Sequence, residues 1–266
     1  MIKLIATDMD GTFLDDKHSY DKKRFSDLLD KLDKLGIVFV VASGRSLLTL
    51  EELFADFIDR VAFVAENGSV VTYKGQLISE SVMSKDQYLT IARQLDKMTD
   101  CQGYLLSGRH GAFAPLFAKD SYIEHVSQYY VNIVKQDLAQ VTDEIFKVTA
   151  QLEAETIEDG SQALSQLLDG VTAVTTGFDG MDIILESVNK ATGLRSLGRH
   201  LGIKAEQVMA FGDNGNDIEM LELAGKAIAT ENAKVQVKAI ANQVIGHCND
   251  RAVQRFLEEW VIENDY

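Results

Sequence analysis

The stretch Ile2-Lys3-Leu4-Ile5-Ala6-Thr7-Asp8-Met9-Asp10-Gly11-Thr12 decides how this chain is read. Residues 2–6 are apolar and β-prone, and the run ends at two carboxylates two positions apart. Gly11 allows an abrupt turn, so a strand that has just ended can present both acids to one site. Asp8 can bind a hard cation and, as a carboxylate, can attack phosphorus. Asp10 can protonate a leaving oxygen and later take a proton from water. An Asp-x-Asp pair alone reads equally well as a solvated turn. The Gly-Thr that follows, at the end of an N-terminal buried strand, favours the chemical reading.

Working outward, residues 21–35 place Phe25, Leu28, Leu29, Leu32 and Leu35 at helical spacing, and Gly36 follows as a helix-terminating glycine. Ile37-Val38-Phe39-Val40-Val41-Ala42 is a continuous apolar run, as expected of a parallel strand buried on both faces. A turn at Ser43-Gly44-Arg45-Ser46 leads into another helix. A further buried strand spans 61–65, then Glu66-Asn67-Gly68 precedes a hairpin over 69–79. Strand–helix–strand alternation of this kind predicts an α/β fold, a Rossmann-like doubly wound parallel sheet.

From about residue 82 to 186 the texture changes. Helical segments at 85–98 and 161–168 alternate with short strand-like ones at 103–107, 145–150, 171–175 and 181–185, and the polar loops lengthen. The single proline, Pro115, lies inside this stretch and marks no linker. The first texture then returns, with helices at 191–201, 216–223 and 251–262 and strands at 208–211, 227–229 and 244–245. The expected organisation is therefore a core in two parts, 1–81 and 188–266, with an α/β domain inserted at 82–187.

Three further clusters lie near predicted core strands, at the edge where open α/β sheets bind ligands. Ser43-Gly44-Arg45 offers a hydroxyl and backbone N–H groups at a helix start, a phosphate cradle, although Ser-Gly is also ordinary capping chemistry. Lys190, after Asn189 at a helix start, could offset charge on a transferring phosphoryl group; a lone lysine is more often a surface residue. Gly212-Asp213-Asn214-Gly215-Asn216-Asp217 packs hard oxygen ligands suited to Mg²⁺ or Ca²⁺. An EF-hand is disfavoured, because Ile218 occupies the position where that loop needs glycine.

The chain has 266 residues, 46% hydrophobic and 25% charged, and a formal net charge of −15. That balance argues against a nucleic-acid partner, which needs a basic stripe. It also repels anions at long range, so a phosphate substrate requires locally placed cations or a metal. No apolar run approaches the roughly 20 residues of a membrane span, and the N-terminus lacks signal-peptide zones. A cytoplasmic protein with no membrane partner is expected. Cys101 and Cys248 match no metal or redox spacing and read as reduced thiols. Whether the protein is a monomer or a dimer is left open.

Taken together and in order, the four clusters resemble the haloacid dehalogenase (HAD) superfamily of phosphohydrolases, over the whole chain. The position of the insert and the run Phe63-Val64-Ala65-Glu66-Asn67-Gly68 look like its Cof-like branch with an α/β cap, and most like bacterial sugar phosphatases. The resemblance implies that Asp8 is the nucleophile and Asp10 the general acid/base. It implies Mg²⁺ held by the Asp8 carboxylate, the Asp10 main-chain oxygen and Asp213. It implies phosphate contacts from the Met9 backbone, Ser43, Gly44, Arg45, Lys190 and Asn216, with Asp217 orienting Lys190 or a metal-bound water. The substrate would be a small phosphorylated metabolite, a sugar phosphate first and flavin or pyridoxal phosphates next.

Two departures from the family pattern are visible. Ala229-Thr230-Glu231-Asn232-Ala233 replaces a segment that often contains glycine, and Ala191 follows Lys190 where glycine is common. Neither removes a catalytic group. Within the cap, Phe178 and Asp179 of the turn Thr176-Gly177-Phe178-Asp179-Gly180 could reach the leaving group, or the turn could simply join two strands. Tyr104, Tyr129 and Tyr130 read as cap core or surface, and the five histidines show no metal spacing. A phosphosugar mutase is chemically open and is separated by product analysis. A phospho-accepting receiver is disfavoured by the Asp-x-Asp-Gly-Thr strand end and the large insert. A silent sugar-phosphate sensor is disfavoured by the intact set Asp8, Asp10, Lys190 and Asp213.

Overall fold

The computed structural model of the protein describes residues 1–176 and 180–264. The chain begins with β1 (Leu4–Thr7), α1 (Lys22–Lys34), β2 (Val38–Ala42), α2 (Leu47–Leu53), β3 (Ala62–Ala65) and the hairpin β4 (Val70–Tyr73) and β5 (Gln76–Glu80). The Asp21 side chain caps α1 by accepting the Arg24 amide. Phe25, Leu28, Leu29 and Leu32 form its buried stripe, each contributing roughly 1.5–3 kcal/mol by leaving water.

The middle of the chain contains α3 (Lys85–Leu95), β6 (Gly103–Gly108), β7 (Ala112–Pro115), α4 (Asp120–Val126), β8 (Ile133–Gln136), β9 (Ile145–Gln151), α5 (Ile157–Leu167), β10 (Val171–Thr175) and β11 (Gly180–Leu185). The last part contains α6 (Lys190–Leu201), β12 (Val208–Gly212), α7 (Ile218–Leu223), β13 (Lys226–Ala229), α8 (Val235–Ile240), β14 (Gln243–Val244) and α9 (Ala252–Asn264). Among the described residues no helix is long and apolar enough to cross a membrane.

The strands form two sheets. An eight-stranded sheet has the order β14-β13-β12-β1-β2-β3-β4-β5. It is parallel from β14 to β3, and the β4–β5 hairpin adds an antiparallel edge. This is the doubly wound α/β core expected from the alternation of strands and helices. Alternate residues of β1 go to opposite faces: Ile5 joins the layer of Phe25, Phe39 and Leu257, while Leu4 and Ala6 join that of Leu194, Leu197 and Met220. Both faces are thus covered by helices, which is why the central strands read as unbroken apolar runs.

The second sheet has six strands, in the order β10-β11-β9-β6-β7-β8. All of them come from residues between 103 and 185. Three elements here, β7, α4 and β8, were not foreseen from the sequence. They are short (4, 7 and 4 residues) and only half apolar, so periodicity had too few positions to register. Pro115 sits at the last position of β7, where a missing N–H does least harm to the ladder.

The turn after β3 fixes where α6 begins. Gly68 has φ +107°, and a Cβ built there would lie 2.1 Å from the Asn189 carbonyl oxygen. Only glycine allows this approach, which seats the first turn of α6, and therefore Lys190, against the sheet edge. Gly68→Ala is expected to destabilise the protein by about 3 kcal/mol through overpacking and backbone strain, read as a lower urea midpoint with an unchanged slope.

Candidate active site

The carboxyl ends of β1, β2, β3 and β12 converge on one place. After β1 the chain turns tightly: the Met9 carbonyl accepts the amides of Thr12 (3.2 Å), Phe13 (3.0 Å) and Leu14 (2.9 Å). Met9 points its side chain into the core, and Asp8 stands at the strand's end. Asn189 caps α6, accepting the Thr192 amide, and thereby sets Lys190 in the first helical turn. The Lys190 ammonium donates to Asp8 Oδ1 at 2.5 Å and to Asp217 Oδ1 at 2.6 Å. The other Asp217 oxygen accepts the amides of Asp213 and Asn214, both at 3.0 Å. Thr12 Oγ1 donates to Asp213 Oδ1 at 2.7 Å.

Oxygens of Asp8, Asp213 and Asp217 all lie within 4.8 Å of one another. Three carboxylates therefore share one lysine. Burial pushes the Asp8 carboxyl well above its ordinary range; Lys190 pulls it down, while Asp217 and Asp213 push it further up. Asp213 is raised by burial and by Asp217. Lys190 keeps its proton against burial because Asp217 and Asp8 flank it. Removing one partner of such a buried set costs about 3–5 kcal/mol. The donor set is all hard oxygen and short of positive charge, so a divalent cation fits it. Asp217 already spends its oxygens on Lys190 and two amides, which leaves Asp8 and Asp213 as the side chains with capacity for the ion.

Asp10 sits differently. Arg45 grips its carboxylate in a bidentate pair, Nε to Oδ2 at 2.7 Å and Nη2 to Oδ1 at 2.6 Å. His18 Nδ1 adds a contact at 2.8 Å. Although burial opposes it, these partners hold the Asp10 carboxyl far below the usual range. Arg45, expected from the sequence to touch phosphate, thus has its guanidinium on Asp10 in this structure. Its charge also lies 5.5 Å from the Tyr129 ring centroid.

Ser43 is buried after β2, and its Oγ accepts the Arg45 amide at 3.1 Å. The loop is pinned from the next strand end: the Asn67 amide donates to the Ser43 carbonyl and the Glu66 amide to the Arg45 carbonyl, both at 3.0 Å. Glu66 and Asn67 have φ of 51° and 57°. Positive φ is costly for residues with side chains and persists only where the surroundings impose it. Here the surroundings come from the second sheet. Asn67 Nδ2 donates to Asp182 Oδ2 at 2.7 Å, and Ser107 Oγ donates to Glu66 Oε1 at 2.8 Å. Asn216 Nδ2 donates to Asn67 Oδ1 at 3.3 Å.

A cavity of about 310 Å³ lies between the two sheets. It is lined by Asp8, Asp10, Ser43 and Asn216 from the first and last parts of the chain and by Tyr122, Val126, Tyr129, Tyr130, Thr149 and Gln151 from the middle. Of the residues singled out in the sequence, Asp8, Asp10, Ser43, Gly44, Arg45 and Asn216 border it, and Lys190 and Asp213 flank Asp8 from behind. Phe178 and Asp179 lie outside the described residues. Tyr129 and Tyr130, read as core or surface, line the cavity, whereas Tyr104 is buried with its hydroxyl on Asp96. His18 and Lys147 were not anticipated. Each is a single polar residue with no diagnostic spacing, so sequence carried no signal for either. In the segment that departs from the family pattern, Thr230 and Asn232 both donate to the Gly11 carbonyl, bracing the Asp8 turn.

The geometry is that of a known class. A family model described as haloacid dehalogenase-like hydrolase matches residues 5–257, and the chain belongs to that family. It is an enzyme of the phosphatase class. It is 36% identical over 255 residues to the 5-amino-6-(5-phospho-D-ribitylamino)uracil phosphatase YbjI of Escherichia coli, covering 95% of this chain and 93% of that one. It is 27% identical over 272 residues to the HMP-PP phosphatase of Cronobacter sakazakii, covering 98% and 96%. The crystal structure of SMU.1108c from Streptococcus mutans superposes with a TM-score of 0.93 at 30% identity, covering 98% of this chain and all of that one.

Glu66 supplies a test of the buried network. Burial raises its carboxyl to about 7, against the pull of Lys147 and Ser107. A carboxyl raised on folding binds more protons folded than unfolded between its two pKa values, so its contribution to stability is lost as pH rises. The window runs from its ordinary value of 4.5 to about 7. Between pH 5 and 8 the wild-type melting temperature is expected to fall relative to that of Glu66→Gln; parallel curves would contradict the assignment.

Proposed function

We propose that this protein is a Mg²⁺-dependent hydrolase of small phosphomonoesters, working through an aspartyl-phosphate on Asp8, with sugar phosphates or phosphorylated sugar alcohols as substrates. The observation that carries the reading is Asp8 itself: a buried carboxylate at the end of the central strand, beside Lys190 and Asp213, at the floor of a cavity large enough for a metabolite. In this reading residues 82–187 are a cap that selects the substrate, and the enzyme acts in the cytoplasm.

Mg²⁺ would be held by Asp8, Asp213 and the Asp10 main chain, and would neutralise charge shared by the nucleophile and the phosphate. An Asp8 oxygen attacks phosphorus as the bond to the leaving oxygen breaks, and Asp10 gives its proton to that oxygen. Water then attacks the aspartyl-phosphate, its proton passes to Asp10, and the bond from phosphorus to Asp8 breaks. The ion pair with Arg45 holds Asp10 ionised, the form suited to the second step; for the first step Arg45 would leave Asp10, which then takes up the proton that it gives to the leaving oxygen. Lys190 stabilises charge developing on the phosphoryl group, with Asp217 orienting it. Ser43, Gly44, Asn216 and the Met9 amide would bind phosphate oxygens, with Arg45 joining them if it leaves Asp10.

A leaving group with a planar ring at the end of a polar chain is favoured among these substrates. Tyr122, Tyr129 and Tyr130 line the cavity, and the similarity to a phosphatase of a ribitylamino-uracil phosphate supports the same reading.

Purified protein is expected to hydrolyse an aryl phosphate in Mg²⁺ and to stop on chelation. Asp8→Asn should abolish turnover, a loss of at least about 10³-fold; full activity in that variant would remove Asp8 as nucleophile. For Asp10→Asn, turnover should drop about 10²–10⁴-fold while Mg²⁺ still binds, since the main-chain oxygen is untouched. Release of free alcohol and inorganic phosphate, with no phosphoryl transfer to an added sugar, separates a hydrolase from a mutase.

A further inference from the structure

We propose that Lys147 is a positioning residue for phosphate binding, acting on the Ser43 hydroxyl through the Gly44–Arg45 peptide. The inference rests on the reading of Ser43 as a phosphate ligand. Lys147 belongs to β9 of the second sheet, yet its ammonium reaches the loop after β2 of the first. It is 2% exposed and donates to the Gly44 carbonyl at 2.5 Å and to Asp182 Oδ2 at 2.8 Å. The Tyr130 ring lies 5.4 Å from it and Glu66 Oε2 3.6 Å. Asp182 is itself saturated, taking Asn67 on one oxygen and Thr149 on the other.

The Lys147–Asp182 pair would neutralise the lysine without any bond to Gly44, so the Gly44 contact has a separate consequence. A trans peptide is planar, with its C=O and N–H on opposite sides. A carbonyl turned toward Lys147 therefore turns the Arg45 N–H away from it, and that N–H falls on Ser43 Oγ at 3.1 Å. A serine hydroxyl has one proton and two lone pairs. With Arg45 occupying a lone pair, the proton is left to be donated, which is what an anionic phosphate oxygen in the cavity requires. The charged donor on the carbonyl also polarises the peptide and strengthens its N–H. Gly44 is confined as well: a Cβ there would lie 3.0 Å from Asn67 Oδ1 and 3.4 Å from Asp182 Oδ2. The orientation of the phosphate loop thus depends on the second sheet being seated on the first.

The alternative is that Lys147 only fastens the sheets together. The two are separated by a double-mutant cycle on Lys147→Met and Ser43→Ala, with KM for a small aryl phosphate and the inhibition constant of inorganic phosphate as readouts. If Lys147 acts through Ser43, Lys147→Met weakens both about tenfold, with kcat changed less than about threefold. In the Ser43→Ala background the same substitution adds less than about twofold, because the atom it positions is gone. Equal, multiplying effects in both backgrounds would overturn the proposal. Should Lys147→Met fail to fold, Lys147→Met with Asp182→Asn removes both charges and takes its place in the cycle, with the same criterion. An inactive wild type would sink the functional reading beneath this one, whereas an active wild type with multiplying effects sinks only the positioning role.

Discussion

The rest of the site is arranged around an excess of buried negative charge at the carboxyl edge of the central sheet. Asp8, Asp213 and Asp217 meet there, with the Lys190 ammonium donating to Asp8 and Asp217. Carboxylates this close cannot all ionise in a low-dielectric setting without compensation. The structure compensates with a lysine wedged between two of them, a threonine hydroxyl and two main-chain amides. In the proposed function a divalent cation and a phosphate would complete the compensation, with Lys190, Lys147 and Arg45 supplying local positive charge within a chain of net charge −15.

The second sheet contributes in two physically different ways. Where it meets the first sheet it is polar and fully engaged: Lys147, Asp182, Ser107 and Thr149 spend their hydrogen bonds on Gly44, Asn67, Glu66 and one another. Such a network holds Glu66 and Asn67 in backbone conformations they would not adopt alone. The aromatic residues of the cavity, Tyr122, Tyr129 and Tyr130, come from α4 and the segment after it, while the strands of the second sheet line it with Lys147, Thr149, Gln151 and Asp182.

Much of this was legible in the chain. The buried strand ending in Asp8-Met9-Asp10-Gly11-Thr12, the amphipathic stripe of α1 and the apolar runs of β2, β3 and β12 carry strong local signals, and the structure has them within a residue or two. The short elements β7, α4 and β8 carried no such signal, because four to seven residues sample too little of any period. Tyr104 and Tyr130 are buried in hydrophobic clusters, as read, but Tyr129 and Tyr130 also line the cavity, which the sequence does not show because an aromatic residue has the same appearance whether it faces a core or a cavity.

The sequence by itself thus determined the fold class from its alternating strands and helices, and the phosphatase family through the resemblance carried by its four motifs, since strand ends, glycine turns and hard ligands are written in consecutive residues. Only the tertiary structure decided which groups pair. It put Arg45 on Asp10, His18 beside them, and Lys147 on a carbonyl 103 positions away. Burial makes those pairings obligatory, because a charge taken from water must find a partner in space, and neighbours in space are set by the packing of two sheets and not by the order of residues.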